Sequence, residues 1–411
     1  MIPFIDLKKE YSEISGQQRN LISDKKKQFD FLFVFTGIPI GSSGGERVLY
    51  SLIRCLSDHG YNVGLVLFLN PYRFIYKVTR NSSLLSHIRC WKTIKCAMFD
   101  QFSSAKFGYV LLYFFMKRIR VREHNFKDIA VVTPSLLRKL NFKRLIASPW
   151  ETTYFVNYYN AECAKYSIIQ YGDQPAVYAQ EYLQGISLDL ISQTFSFPLK
   201  KIVLNEEELK RFSADKPQKI QLGIDTSKFR QEIPFDKRNG KTILIPLRAP
   251  MEKGANCAID AIKLIHRQRN DITIITYGNY RHTELIPDYV EHRGFVSDKE
   301  LVDLYNSASI FVLPSLVELY SLSGLEAMAC GCVLISTDTG ATEYVKHNVN
   351  GIIVPKNDPN AIAEAVISLV DNRNQRAYLT LNGLETARAR SEENMMRSFI
   401  TAITNFEQGR H

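Results

Sequence analysis

The sequence predicts an α/β protein built from two Rossmann-like domains, each a parallel sheet covered by helices. Three observations predict it. The 411 residues suit two domains of roughly 100–200 residues each. In both halves short apolar runs alternate with amphipathic helical patterns, which marks parallel strands buried on two faces. A polar, proline-containing stretch around Arg211 to Gln221 separates the two sets. Ligands of such sheets bind at the carboxyl ends of the strands, so two facing domains with an interdomain cleft are expected.

The first domain opens on Phe31 to Thr36 (FLFVFT), a buried-strand pattern, followed by the glycine- and serine-rich turn Gly37 to Gly45. In the next helix Val48, Leu49, Leu52, Ile53 and Leu56 share one face, Gly60 ends it, and Val63 to Leu69 supplies a second strand. This is a βαβ unit. The later half repeats the pattern with strand Thr242 to Pro246, helix Ala255 to Arg267, strand Ile272 to Tyr277, helix Asp298 to Asn306 and strand Ile310 to Leu313. A short helix ending at Gly331, strand Val333 to Thr337, and a helix from Pro359 to Val370 capped by Asp358 complete it. The expected boundaries are an amino-terminal extension of unclear role (1–29), domains at 30–220 and 221–390, and a carboxyl-terminal helix (391–411) placed to cross back to the first domain.

Hydrophobic residues make up 45% and charged residues 23%, which excludes disordered and collagen-like chains. The 52 basic and 42 acidic residues leave a net charge of +10, so an anionic partner is expected. The surplus is local. Residues 1–220 hold 31 basic and 19 acidic side chains, and residues 71–150 alone hold 16 and 3. There the apolar run Phe107 to Met116 meets Lys117-Arg118-Ile119-Arg120-Val121-Arg122. That juxtaposition suits a lipid-touching interfacial element or a core helix with a solvated basic end, and both readings stay open. Seven scattered cysteines without a CxxC pair read as reduced cytosolic thiols. The charged amino terminus is unlike a signal peptide, and no apolar run is long enough to span a bilayer.

The chemistry concentrates in PSLVELYSLSGLEAMACGC, Pro314 to Cys332. Glu318 lies just past a strand and Glu326 eight positions later in the first turns of a helix. The amides of Leu322, Ser323 and Gly324 at that helix start suit a phosphate or diphosphate. A carboxylate on either side of it can hold hydroxyls, Glu326 those of a ribose and Glu318 those of a second sugar. Apolar Leu325, Ala327 and Met328 make the helix look buried, and a buried carboxylate needs a partner. In PLRAPMEKGA, Arg248 and Lys253 precede a helix at the mouth of the same cleft. Two cations there could neutralise a diphosphate leaving group.

The chain resembles the retaining family 4 glycosyltransferases, whose fold is GT-B. The resemblance covers about residues 30–390 and rests on GSSGGER, LGIDTSKF, RAPMEKG, HRGFVSDKEL, the paired glutamates, TGATEYV and NGIIVP. It implies a first, acceptor domain and a second domain binding a nucleotide-sugar donor; separately, the lack of any Asp-x-Asp leads to the expectation of no required metal, and no other cofactor is expected. Arg248 and Lys253 would contact the donor diphosphate, Glu318 the donor sugar, Glu326 the ribose, and Leu322, Ser323 and Gly324 the phosphates. Backbone near Phe295 would meet the base, while Gly44 and Gly45 would let the first domain's loop approach the donor. This chain departs from the family in having Leu319 and Ser321 where glycines are usual, and no first-domain histidine matches the one many members carry. IIQYGDQPAVY, with SPWETTYFV before it, is loosely similar to members linked to rhamnose-containing polysaccharides. The opening MIPFIDLKKEYSEI is similar to sugar aminotransferases that use pyridoxal phosphate, over about 14 residues only.

Several rival readings fit less well. Gly41 to Gly45 satisfies G-x-S-x-G, but too few strands precede it for a hydrolase elbow. The turn's glycines miss the GxGxxG spacing of a dinucleotide dehydrogenase, and no Asp-x-Asp marks a metal-dependent transferase. A catalytically silent scaffold and a nucleotide-sugar epimerase stand as alternatives to hexose or deoxyhexose transfer. The expected acceptor is a glycan or lipid diphosphate, the expected location the cytoplasm or the cytoplasmic face of a membrane, and nucleic acid is not expected as a partner.

Overall fold

The computed structural model describes residues 28–37, 44–69, 130–132, 137, 140–148, 150–159, 161–170, 188–249 and 251–410. The extension up to residue 27, the apolar run with Lys117 to Arg122 and most of the basic segment around it, and Tyr171 to Tyr178 lie outside the described residues. The chain divides into two compact units. One runs to Ile202 and includes Ala214–Pro217, and the other takes in Val203–Ser213 and everything from Gln218 onward.

In the first unit, β1 (Phe31–Gly37), α1 (Gly44–Asp58) and β2 (Val63–Leu69) form the expected βαβ turn. Phe31 to Phe35 are all buried, as are Val48, Leu49, Leu52, Ile53 and Leu56 on one face of α1. The sequence reading passed over β3 (Ala130–Val132), β4 (Arg144–Ala147), α2 (Trp150–Tyr158), β5 (Ala164–Ile168), α3 (Leu188–Phe195) and β6 (Lys200–Val203). These strands run β3-β2-β1-β4-β5-β6 across the sheet, each pair parallel.

The second unit begins with α4 (Glu206–Arg211), then β7 (Thr242–Pro246), α5 (Ala255–Gln268), β8 (Thr273–Tyr277), β9 (Glu291–His292), α6 (Asp298–Ser307) and β10 (Ile310–Leu313). It continues through α7 (Leu322–Ala329), β11 (Val333–Thr337), β12 (Ile352–Val354), α8 (Pro359–Asp371), α9 (Arg373–Arg388) and α10 (Glu392–Glu407). Side-chain caps set the helix starts: Ser297 and Glu300 form a capping box on α6, and Asp358 Oδ1 accepts from the Ala361 N–H on α8. In α10, Ser398 Oγ accepts from the Gln221 N–H, and Asn405 Nδ2 donates to Gln218 Oε1, so that helix packs on residues of its own unit.

The sheet shows why these strands read as unbroken apolar runs. Ile243 and Ile245 of β7, Val312 of β10 and Ile335 of β11 join one apolar cluster with α5 and α8. The residues between them, Leu244, Phe311 and Leu334, join a second cluster with α6 and α7. Successive side chains point to opposite faces, and each face is covered. Strand order is β9-β8-β7-β10-β11-β12, all parallel. The chain runs outward from β7 through β8 to β9, then returns to β10 on the other side. The order therefore reverses between β7 and β10, and a crevice opens there at the strands' carboxyl ends. Among the described residues, no helix is long and apolar enough to cross a membrane.

Candidate active site

The two loops bordering that crevice are joined by main chain. After β7 the chain makes a single 3-10 turn, Met251–Lys253, whose Glu252 carbonyl accepts from the N–H groups of Leu316 (2.7 Å) and Val317 (3.2 Å) in the loop after β10. Gly254 closes the turn at φ 69, a left-handed conformation favouring glycine. A Cβ there would stand 2.8 Å from the Pro314 carbonyl carbon and closer still to its oxygen, so no other residue fits without parting the loops. This places Lys253 Nζ 2.9 Å from Glu318 Oε2, with the two side chains 23% and 17% exposed. Gly340 presses close to the main chain from Glu318 to Tyr320: a Cβ on it would lie 2.5 Å from the Tyr320 nitrogen and 2.7 Å from the Glu318 carbonyl oxygen.

Arg248, half-buried one residue past Leu247, lies within electrostatic reach of Tyr277 at the end of β8, Glu318, Tyr305 of α6 and Glu326. Burial alone would lower its pKa, but Tyr277, Glu318, Tyr305 and Glu326 outweigh it and raise the value above that of a free guanidinium. Arg248 therefore stays charged. Of these groups, the Tyr277 hydroxyl lies 3.3 Å from that of Tyr305. Burial pushes both phenols up, so both are neutral donors and acceptors. Glu326 is 4% exposed between fully buried Leu325 and Ala327, and acts electrostatically on Arg248 and both tyrosines.

Helix α7 starts behind Glu318. An α-helix leaves its first N–H groups without intrahelical acceptors. Here Ser321 Oγ accepts from the Gly324 N–H at 3.4 Å, which withdraws one of the three amides expected to meet phosphate. Leu322 and Ser323 open the helix beside it. Phe295, in the loop after β9, is 89% exposed. Gly44 and Gly45 begin α1 in the other unit, where Gln170 Nε2 donates to the Gly45 carbonyl (3.4 Å) and to Ser148 Oγ (3.0 Å). The second unit thus brings Arg248, Lys253, Glu318, Glu326 and the start of α7 to one crevice. Tyr277, Tyr305 and Gly254 belong to it too and were missed. An aromatic closing a buried strand looks like core, and only the end of the strand distinguishes Tyr277. No group of three or more His, Cys, Asp or Glu side chains among the described residues could hold a metal ion.

Residues 240–372, which contain this crevice, match the family model described as glycosyl transferases group 1. They are a group 1 glycosyltransferase domain. Among curated relatives, an uncharacterized glycosyltransferase of Methanocaldococcus jannaschii is 30% identical over 59% of this chain and 65% of its own length. The amylovoran biosynthesis glycosyltransferase AmsK of Erwinia amylovora is 30% identical over 38% of this chain and 42% of its own. The chain spans less than two thirds of either relative. Among solved structures, Anabaena HepE in complex with UDP superposes with a TM-score of 0.64 at 16% identity, covering 92% of this chain and all of HepE. HepE was also solved with UDP-glucose. That likeness carries the fold, and with it the group 1 glycosyltransferase domain sits in a chain of the GT-B class.

Proposed function

We propose that the protein is a retaining glycosyltransferase that moves a hexose or deoxyhexose, rhamnose among them, from a nucleotide-diphosphate sugar to a hydroxyl of a growing glycan or lipid-linked acceptor. The observation that carries the reading is the Lys253–Glu318 pair, with Arg248 and Glu326 beside it, at the switch point of a group 1 domain. A nucleotide-sugar needs cations where its diphosphate departs and carboxylates where its hydroxyls lie, and this crevice offers both. Arg248 and Lys253 take the leaving diphosphate, Glu318 the donor sugar and Glu326 the ribose. The Leu322 and Ser323 amides face the phosphates and backbone at Phe295 meets the base. HepE's complexes with UDP and UDP-glucose support uracil as the first base to test.

In the reaction the acceptor hydroxyl attacks the anomeric carbon on the face that the diphosphate leaves. The new carbon–oxygen bond forms as the bond to the diphosphate breaks, and the proton passes to the departing phosphate oxygen. Retention follows from that same-face attack. Charge stabilisation and positioning supply the rate. Arg248, Lys253 and the helix amides carry the leaving-group charge, so no metal ion is required. The basic surplus of residues 71–150 supports an anionic acceptor, and a place at the cytoplasmic face of a membrane. The test is thermal-shift screening with UDP-, GDP-, dTDP- and ADP-sugars, followed by NMR of the product's anomeric configuration. Inverted product would overturn retention. Failure of every nucleotide-sugar to stabilise the protein or be turned over would overturn the whole reading.

A further inference from the structure

Ser321 stands where the resembled family has glycine, and the structure shows what accompanies that change. Ser321 is fully buried, with extended backbone at φ −86 and ψ 93. Its side chain caps Gly324, and its carbonyl accepts a 2.6 Å hydrogen bond from the Tyr344 hydroxyl. Tyr344 follows the turn Gly340–Glu343 and is 4% exposed. Its phenol oxygen occupies the space that a Cβ on residue 324 would fill, a Cβ that would also stand 3.0 Å from Leu334 Cδ2. Serine at 321, glycine at 324 and tyrosine at 344 therefore fit as a set.

Tyr344 is itself held firmly. Asn350 Nδ2 donates to its carbonyl (2.8 Å), the Tyr320 ring packs 5.6 Å away, and the Arg390 guanidinium lies 5.8 Å from its ring centroid. Burial first, and Tyr320 second, hold its hydroxyl protonated far above neutral pH. Because the Gly324 amide is engaged by the cap, the Leu322 and Ser323 amides carry the helix's contact with anions, and the peptide unit of Ser321 aims the first of them.

We propose that Tyr344 is a positioning residue for the donor diphosphate: by holding the Ser321 carbonyl it aims the amides that open α7. The inference rests on the glycosyltransferase reading above. Its test is isothermal titration of UDP, uridine and inorganic pyrophosphate into the full chain and into Tyr344→Phe, Gly324→Ala and the double variant. Tyr344→Phe should weaken UDP and pyrophosphate about five- to ten-fold, the loss expected of one well-made hydrogen bond. Uridine, which lacks the groups that the amides meet, should bind unchanged. Gly324→Ala should weaken UDP further, and adding Tyr344→Phe, which removes the overlapping oxygen, should restore part of that loss. A folded Tyr344→Phe protein that binds UDP and pyrophosphate as tightly as wild type would leave Tyr344 a packing residue and overturn the inference. Wild-type protein that binds neither would remove the site reading and this inference together.

Discussion

Gly254→Ala tests how the site is assembled without touching any group that meets the donor. Alanine at φ 69 pays a left-handed strain of roughly 1–2 kcal/mol. For a unit of this size that lowers Tm by about 2–8 °C. The larger effect is geometric. The new Cβ would sit 2.8 Å from the Pro314 carbonyl carbon, so the turn carrying Lys253 must withdraw from the loop carrying Glu318 by roughly 1 Å, a displacement that can cost about 100-fold in rate. The assay is initial-rate turnover of whichever nucleotide-sugar most stabilises the wild type, alongside thermal unfolding. Expected is a protein that melts several degrees lower, keeps its helical circular dichroism and loses about 100-fold in kcat/KM. Wild-type turnover in Gly254→Ala would refute the claim that these loops must touch for the site to work.

Removing the Lys253 ammonium (Lys253→Ala) should cost on the order of 3 kcal/mol in transition-state stabilisation, comparable to one oxyanion donor, and unchanged kcat/KM would count against its role at the leaving group. Glu318→Gln should abolish turnover while nucleotide-sugar binding by calorimetry persists, whereas Glu326→Ala should weaken nucleotide binding first; the reverse pattern would exchange their roles. His292, with Nδ1 2.9 Å from Thr276 Oγ1, has its pKa lowered from 6.5 by burial. As pH falls through 6.5 the unfolded chain takes up its proton before the folded one, so stability declines. Urea midpoints at pH 7.5 and 5.5 should therefore differ less in His292→Gln than in wild type, and an equal difference would remove His292 as the cause.

The second unit was largely legible in the sequence because its strands are uninterrupted apolar runs and its helices carry caps such as Asp358. Helix α9 was not, since its buried positions include Arg376, Thr380 and Gly383 and polar or small residues there erase the apolar stripe. Helix α2 was missed for the opposite reason: Thr152 to Val156 are buried in unbroken succession, and a stretch buried on every side carries no helical period. At the site, charged residues showed themselves by type and spacing. Tyr277, Tyr305 and Tyr344 did not, because their work depends on which hydroxyl reaches which neighbour, and only three-dimensional contact shows that.

The bonds from Leu316 and Val317 to the Glu252 carbonyl separate two duties that side chains often share. The distance between cation and carboxylate is kept by peptide groups and by the bare Cα of Gly254, without interlocking side chains. Met251 serves that turn through its carbonyl, which accepts from the Gly254 N–H at 3.0 Å, while its side chain is 78% exposed. The Met251 side chain can therefore vary while the spacing of Lys253 and Glu318 stays fixed, because its main chain and not its exposed side chain is what the turn uses.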